Sequence, residues 1–263
     1  MTADKQKRAD AVSESIGFLL IFTMVIVGIG LVTQYGYPML HQQQTSADEQ
    51  IMEKNMIVLQ NDMKSLAYKT IPYTETSLKI GGGTLTVYNA SNDASTVRIY
   101  YGGTSPYDAS FKLGDLRYES ITADRILSIQ DGAVITRNMI ESGSSMLAEP
   151  RWFYDGPTNT WVVNLISINS TNNMSRAGIG DVQMGLGQTY YNMSIADPGV
   201  QIWLDYTPDP GNDCSIAWNN YLVSSLHLLP PTGTTTKTYQ LNVDPSRPSV
   251  LIIKKVDIII YSV

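Results

Sequence analysis

The sequence predicts a mainly β protein in which an N-terminal transmembrane helix continues into an amphipathic helix, followed by an all-β, sandwich- or barrel-like extracellular domain. Three observations predict it. Ile16–Thr33 is a long apolar run without a charge. Between His41 and Tyr68 apolar residues recur at three- and four-residue steps, the period of a helix with one buried face. Beyond Pro72 the pattern turns into short apolar segments separated by Gly, Pro, Asn and Asp clusters, which reads as strands and turns.

Ile16–Thr33, IGFLLIFTMVIVGIGLVT, holds eighteen residues. At about 1.5 Å per residue it forms a helix of about 27 Å, close to the hydrocarbon thickness of a bilayer. It is apolar on every side, so an amphipathic core helix fits it poorly. Lys5, Lys7 and Arg8 precede it, within residues 1–9 against a single acid, Asp4. The positive-inside rule therefore places the N-terminus in the cytoplasm and residues 34–263 outside. Tyr35 and Tyr37 suit the outer interface, and Gly36 with Pro38 loosens or kinks the helix as it leaves the membrane. A secretory signal peptide would have a shorter apolar core and a small-x-small cleavage site; here Tyr-Gly-Tyr-Pro follows instead. Gly28 and Gly30 permit close helix approach but lie two apart, not four as in the usual dimerisation motif.

In the next segment Ile51, Met52, Met56, Leu59, Met63, Leu66 and Ala67 form one stripe, a core or subunit contact rather than a cofactor site. Pro72 ends the helix. Strands are expected at Leu78–Ile80 and Thr84–Tyr88 around a Gly81–Gly83 turn, at Val97–Tyr101, Phe111–Leu113, Ile126–Ile129, Ala133–Thr136 and Trp161–Ile168. Others are expected at Val182–Gly185, Gln188–Met193, Gln201–Tyr206, Lys237–Val243 and Val250–Tyr261, the last closing the sheet. Helical turns are expected near Asn138–Leu147 and Ala217–Leu228, and the weakest joint at Pro208–Asp213. Lys254, Lys255 and Asp257 interrupt the C-terminal apolar run, which argues for a half-buried strand over a second span.

Composition narrows the function classes. Charged residues make up 16% of the chain, and Tyr outnumbers Phe 16 to 4; soluble domains typically carry about 25% charge. The net charge of −6 divides into +2 over residues 1–9 and −8 beyond them, so there is no basic face for nucleic acid. Cys214 is the only cysteine and His41 and His227 the only histidines, which gives no disulfide, no cysteine metal cage and no metal or cofactor expectation. Gly178-Ile-Gly180 lacks a P-loop lysine. Asp205, Asp209 and Asp213 around Pro-Asp-Pro-Gly-Asn-Asp could wrap calcium, but the spacing is not that of an EF-hand and the composition is that of a turn. His227 stands among leucines and reads as packed or partly exposed. No enzyme is expected.

The segment Lys7-Arg8-Ala9-Asp10-Ala11-Val12-Ser13-Glu14-Ser15-Ile16-Gly17 resembles the class III leader of archaeal type IV pilins, in which basic and small residues precede the cut and the apolar helix stays in the mature protein. The resemblance covers about residues 5–40. It implies processing by prepilin peptidase between Ala9 and Asp10, which makes Glu14 the fifth mature residue, a usual place for glutamate in pilins; many euryarchaeal pilins have Pro there. The implied division is a leader over 1–9, a transmembrane helix over 10–33, a helical spine over 34–70 and a β-rich extracellular domain over 71–263. Glu14 has two readings. It is a first-turn acid favoured by the helix dipole, or it neutralises the new α-ammonium of a neighbouring subunit and sets the register of assembly.

Four sequons, at Asn89, Asn169, Asn173 and Asn192, lie in the part predicted to be outside and are candidate glycosylation sites. The expected function is that of a pilin-like subunit of a surface filament, minor or adhesive, with the bilayer, prepilin peptidase and other pilin-like subunits as partners. The alternatives are a non-polymerising display anchor that binds a glycan, surface layer or partner, and an exported hydrolase.

Overall fold

The structure, a computed structural model, describes residues 3–69, 71–92, 94–121, 123–140 and 143–263, with side chains from residue 16 onward. The chain divides into two compact units, Met1–Ala47 and Asp48–Val263.

The first unit is helical: α1 (Ala3–Leu31), a π turn (Val32–Gly36) and the start of α2 (Tyr37–Tyr68). The π turn falls where Gly36 and Pro38 loosen the helix. Pro38 cannot donate a backbone hydrogen bond and its ring crowds the preceding turn. The ladder widens there, and the Tyr37 N–H reaches back to the Val32 carbonyl.

In the second unit the described strands are β1 (Tyr73–Tyr88), β2 (Thr96–Tyr101), β3 (Tyr107–Lys112), β4 (Asp115–Ser120), β5 (Arg125–Gln130), β6 (Ala133–Asn138) and β7 (Ser144–Ala148). They continue with β8 (Phe153–Asp155), β9 (Thr160–Ser170), β10 (Ser175–Ala196) and β11 (Ile202–Thr207), then the short α3 (Ser215–Asn220) and a π turn (Tyr221–Ser225). β12 (Leu229–Thr232), β13 (Lys237–Gln240) and β14 (Ser249–Ser262) complete the chain. Among the described residues these strands make two sheets. The nine-stranded sheet runs β7-β6-β5-β4-β1-β10-β14-β9-β8 and the five-stranded sheet β12-β13-β11-β2-β3. All pairs are antiparallel except β14 with β9. Neither sheet closes into a barrel; they form a sandwich.

The large sheet buries both faces, but at opposite ends of its strands. On one face Leu251 and Ile253 of β14 and Trp161, Val163 and Leu165 of β9 meet Val97, Ile99, Leu204 and Tyr239 of the small sheet, with Trp218 of α3. On the other face Val256, Ile258 and Ile260 of β14 and Ile166 and Ile168 of β9 meet Met52, Met56, Leu59, Met63 and Leu66 of α2. The layers are helix, sheet and sheet. The stripe expected on α2 is buried as predicted, except Ile51, which is exposed.

Polar contacts fix α2 in place. Gln60, buried within the stripe, donates from Nε2 to the carbonyls of Gly132 (2.6 Å) and Glu149 (3.3 Å). Arg125 of β5 pairs with Glu53 at 2.6 Å. Lys254, which interrupts the apolar C-terminal run, donates to the Ala67 carbonyl at 2.9 Å, and so satisfies one of the orphan carbonyls that end a helix.

Several local expectations are corrected. Gly81–Gly83 is no turn: β1 runs through it with a bulge, Gly82 at φ +64. A side chain at Gly83 would meet the Glu119 carbonyl at 2.4 Å. The pair Val182–Gly185 and Gln188–Met193 is one strand, β10, because β14 pairs along both halves and absorbs the shift at Leu186–Thr189. The helical turn expected near Asn138–Leu147 gives way to β7, which pairs with β6. The C-terminal strand does not close the sheet but lies inside it, between β10 and β9. Pro208–Asp213 is no joint: Asp209 and Asn212 are buried and hydrogen-bonded to the large sheet.

Candidate functional site

Helix α1 presents a surface that has no counterpart in the second unit. From Ile16 to Val32 thirteen large apolar side chains are exposed, Phe18 to 72% and Met24 to 74%. Leaving that many such side chains in water would cost roughly 20–40 kcal/mol, at about 1.5–3 kcal/mol each. The few polar groups among them are internally satisfied: Thr23 Oγ1 donates to the Leu19 carbonyl at 2.7 Å and Thr33 Oγ1 to that of Ile29 at 2.9 Å. A helix that satisfies its hydroxyls on its own backbone and shows only apolar atoms is compatible with hydrocarbon. From Ile16 the helix is long and apolar enough to cross a membrane. Gly28 and Gly30 have nothing within 4 Å of where a Cβ would stand, which leaves room for close approach by another helix.

Ala9, Asp10 and Glu14 lie on the helical backbone of α1, but their side chains fall outside the described residues. The sequons are spread over the second unit. Asn173 is exposed in the connection between β9 and β10. Asn89 is half-buried, its Oδ1 accepting from the N–H and Oγ of Ser170. Asn169 lies in β9 opposite Ile259. Asn192 lies in β10 opposite Ile253, its Oδ1 buried without a partner.

The calcium candidates do not converge. Asp205 faces Arg98 at 3.7 Å, Asp209 binds Arg117, and Asp213 caps the Ser215 N–H at 2.9 Å. Among the described residues no three His, Cys, Asp or Glu side chains gather as metal ligands would. Instead Asp209 belongs to a buried network that sequence reasoning missed. Arg117 reaches Asp115 at 3.0 Å and Asp209 at 2.6 Å, and its guanidinium stacks over the Tyr88 ring at 3.9 Å. Asn212 donates to Asp115 at 3.0 Å. The chain of bonds continues through the Asp209 N–H to Ser95, from Gln130 to Ser95, and from Trp218 and Tyr206 to Gln130. Burial outweighs Arg117 and holds the Asp115 carboxyl above its ordinary range. Burial likewise pushes the Cys214 thiol up to about 12, which makes it a poor nucleophile. This network joins the two sheets and is buried, so it reads as a structural clamp.

An open cleft of about 460 Å3 lies elsewhere on the sandwich, lined by Glu149, Trp152, Phe153, Tyr154, Tyr221 and His227 among others. His227 is exposed and adopts φ +56. Trp152 and Tyr221 form its buried floor and Phe153 is exposed; an apolar lining with a few polar groups is usual for a small-ligand pocket.

A family model described as a family of unknown function (DUF7289) matches residues 10–217. No curated protein and no solved structure matches the chain.

Proposed function

We propose that this chain, which belongs to the family of unknown function DUF7289, is an archaeal type IV pilin-like subunit of a cell-surface filament, processed by prepilin peptidase and assembled through its N-terminal helix. The observation that carries the reading is the exposed apolar surface of Ile16–Val32. Such a surface needs lipid before assembly and neighbouring helices after it. Upstream stands the leader pattern Lys7-Arg8-Ala9-Asp10 with Glu14 five residues into the mature chain. A cut before Asp10 leaves the apolar helix on the protein and creates an ammonium that Glu14 of a neighbour can neutralise. The basic N-terminus faces the cytoplasm, and the β sandwich is displayed outside, where the exposed sequon at Asn173 would be available for glycosylation.

N-terminal mass spectrometry of the protein isolated from its native membrane tests this. A mature chain beginning at Asp10 is expected; a chain beginning at Met1, or after residue 33, sinks the proposal. Glu14→Ala is expected to abolish filaments while leaving membrane insertion intact.

A second reading, a non-polymerising anchor that displays a binding domain, is favoured by one observation, the cleft lined by Phe153, Tyr154 and His227. The exposed ring of Phe153 there suits the planar face of a sugar. Unchanged surface structures in Glu14→Ala cells, together with loss of glycan binding in Phe153→Ala, an exposed position, would favour it over the filament.

A further inference from the structure

We propose that residues 188–196 of β10 are a pairing edge for a second copy of this chain, joined antiparallel about Asn192. β10 is longer than its neighbour β1. Their ladder ends at Gly185 opposite Tyr73, and one more bond runs from the Leu186 N–H to the Pro72 carbonyl. Past that point β10 pairs with β14 on one side, and no described strand pairs with it on the other.

Open strand edges invite pairing, and proteins ordinarily blunt them with charge, proline, bulges, brevity or a cover. The other edges here follow that rule. β8 has three residues, β12 is Leu-Pro-Pro-Thr, β3 carries Asp108 and Lys112, and β7 is short and bulged. Gln-Thr-Tyr-Tyr-Asn-Met-Ser-Ile-Ala, the open stretch of β10, has no charge and no proline, and Gln188 to Tyr191, Met193 and Ile195 are exposed.

Three observations select a second copy as the occupant. In a chain of net charge −6 this uncharged edge is a place where two copies approach without like-charge repulsion. The stretch is also self-complementary. Antiparallel pairing about Asn192 sets Tyr191 against Met193 of the second copy, twice. Aromatic–thioether contacts of this kind are favourable, and Tyr191, Met193 and Ile195 are exposed to 62, 56 and 53%. The apolar surface also extends inward from the edge, since Met193, Ile252, Val162 and Phe153 stand side by side across four strands.

The inference is independent of the filament reading, because it concerns the sandwich and not α1. Disulfide trapping in the full-length protein in its membrane tests it, with Cys214 retained because its thiol is buried. Residues directly opposite in an antiparallel pair have Cα atoms about 4.5–5.5 Å apart, within disulfide reach. Asn192→Cys is therefore expected to give a covalent dimer on oxidation, and Ser145→Cys, on the β7 edge, at least tenfold less. Adding Met193→Lys, an exposed position, should lower the Asn192→Cys dimer at least tenfold with circular dichroism unchanged. No dimer from folded Asn192→Cys, equal yields from both cysteines, no effect of Met193→Lys, or trapping of a different polypeptide would each overturn the proposal. Dimer that persists in a Glu14→Ala background, whatever happens to filaments, separates this edge from assembly through the helix.

Discussion

Nη2 of Arg117 lies 2.6 Å from Oδ2 of Asp209, a residue 92 positions further along the chain. Arg117 belongs to β4 in the large sheet, and Asp209 follows β11 in the small one. The bond therefore closes the sandwich, with Asp115 on the same guanidinium at 3.0 Å.

Removal of this arginine should be among the most damaging single changes in the second unit. Its side chain is nearly fully buried, and its loss leaves two carboxylates without a counter-charge. Arg117→Met is expected to cost roughly 3–5 kcal/mol in denaturant unfolding, the usual penalty for breaking a buried pair. Arg117→Lys should recover little, since an ammonium cannot reproduce the two-carboxylate fork. Arg117→Met combined with Asp115→Asn and Asp209→Asn should recover at least half the loss; a triple variant no more stable than the single one would sink the account.

Asp131 predicts the opposite sign. It occupies the two-residue turn between β5 and β6, with φ +52. Its buried Oδ1 accepts the Ile166 N–H at 2.7 Å. Burial raises its carboxyl well above the ordinary range, against the pull of that N–H. A folded-state value above the unfolded one means that the native state holds the proton more tightly. This contribution is full below the unfolded value and is lost as pH rises through the folded one. Asp131→Asn keeps the acceptor, tolerates positive φ and cannot ionise. It should raise Tm at pH 7 by roughly 2–4 °C, for about 1 kcal/mol, with a smaller gain at pH 4. A gain of equal size at both pH values would show that the charge is irrelevant.

The parts of the fold legible in the sequence are those set by local period. The exposed run Ile16–Val32, the Met and Leu stripe of α2, and strands such as β2, β5 and β14 announce themselves through their spacing. Gln60 did not, because a glutamine within an apolar stripe reads as an interruption until Gly132 and Glu149 supply carbonyls to its amide. β4 was hidden for the same reason: Asp-Leu-Arg-Tyr-Glu-Ser looks half polar, and Arg117 is buried only because Asp209 meets it from the other sheet. Gly81–Gly83 misled because glycine marks both a turn and a bulge, and which one forms depends on whether a partner strand continues past it. The span of the candidate site was legible. The open edge of β10 was not, since it exists only because β1 is shorter than its neighbour.

The α2 stripe gives a direct test of the helix–sheet layer. Leu59 is fully buried, and Val58, its neighbour in sequence, is 47% exposed. Leu59→Ala should destabilise the protein by about 2–5 kcal/mol, transfer and cavity terms together. Val58→Ala, on the solvent face, should stay within about 0.5 kcal/mol. Equal effects in chemical denaturation would mean that α2 does not sit on the sheet as described.

The sequons should not be equivalent. Enzymatic glycosylation needs the asparagine amide to reach an active site, which favours an exposed connection over a paired strand. Asn173 is exposed between β9 and β10, whereas Asn192 is held in the β10–β14 ladder with its Oδ1 buried. Asn89 is engaged by Ser170, and Asn169 lies in the ladder between β9 and β14. Glycopeptide mass spectrometry of the native protein is therefore expected to find a glycan on Asn173, removed by Asn173→Gln, and none on Asn192. A glycan on Asn192 would contradict both this ordering and the pairing edge, because a sugar there would stand where the second copy of β10 has to lie.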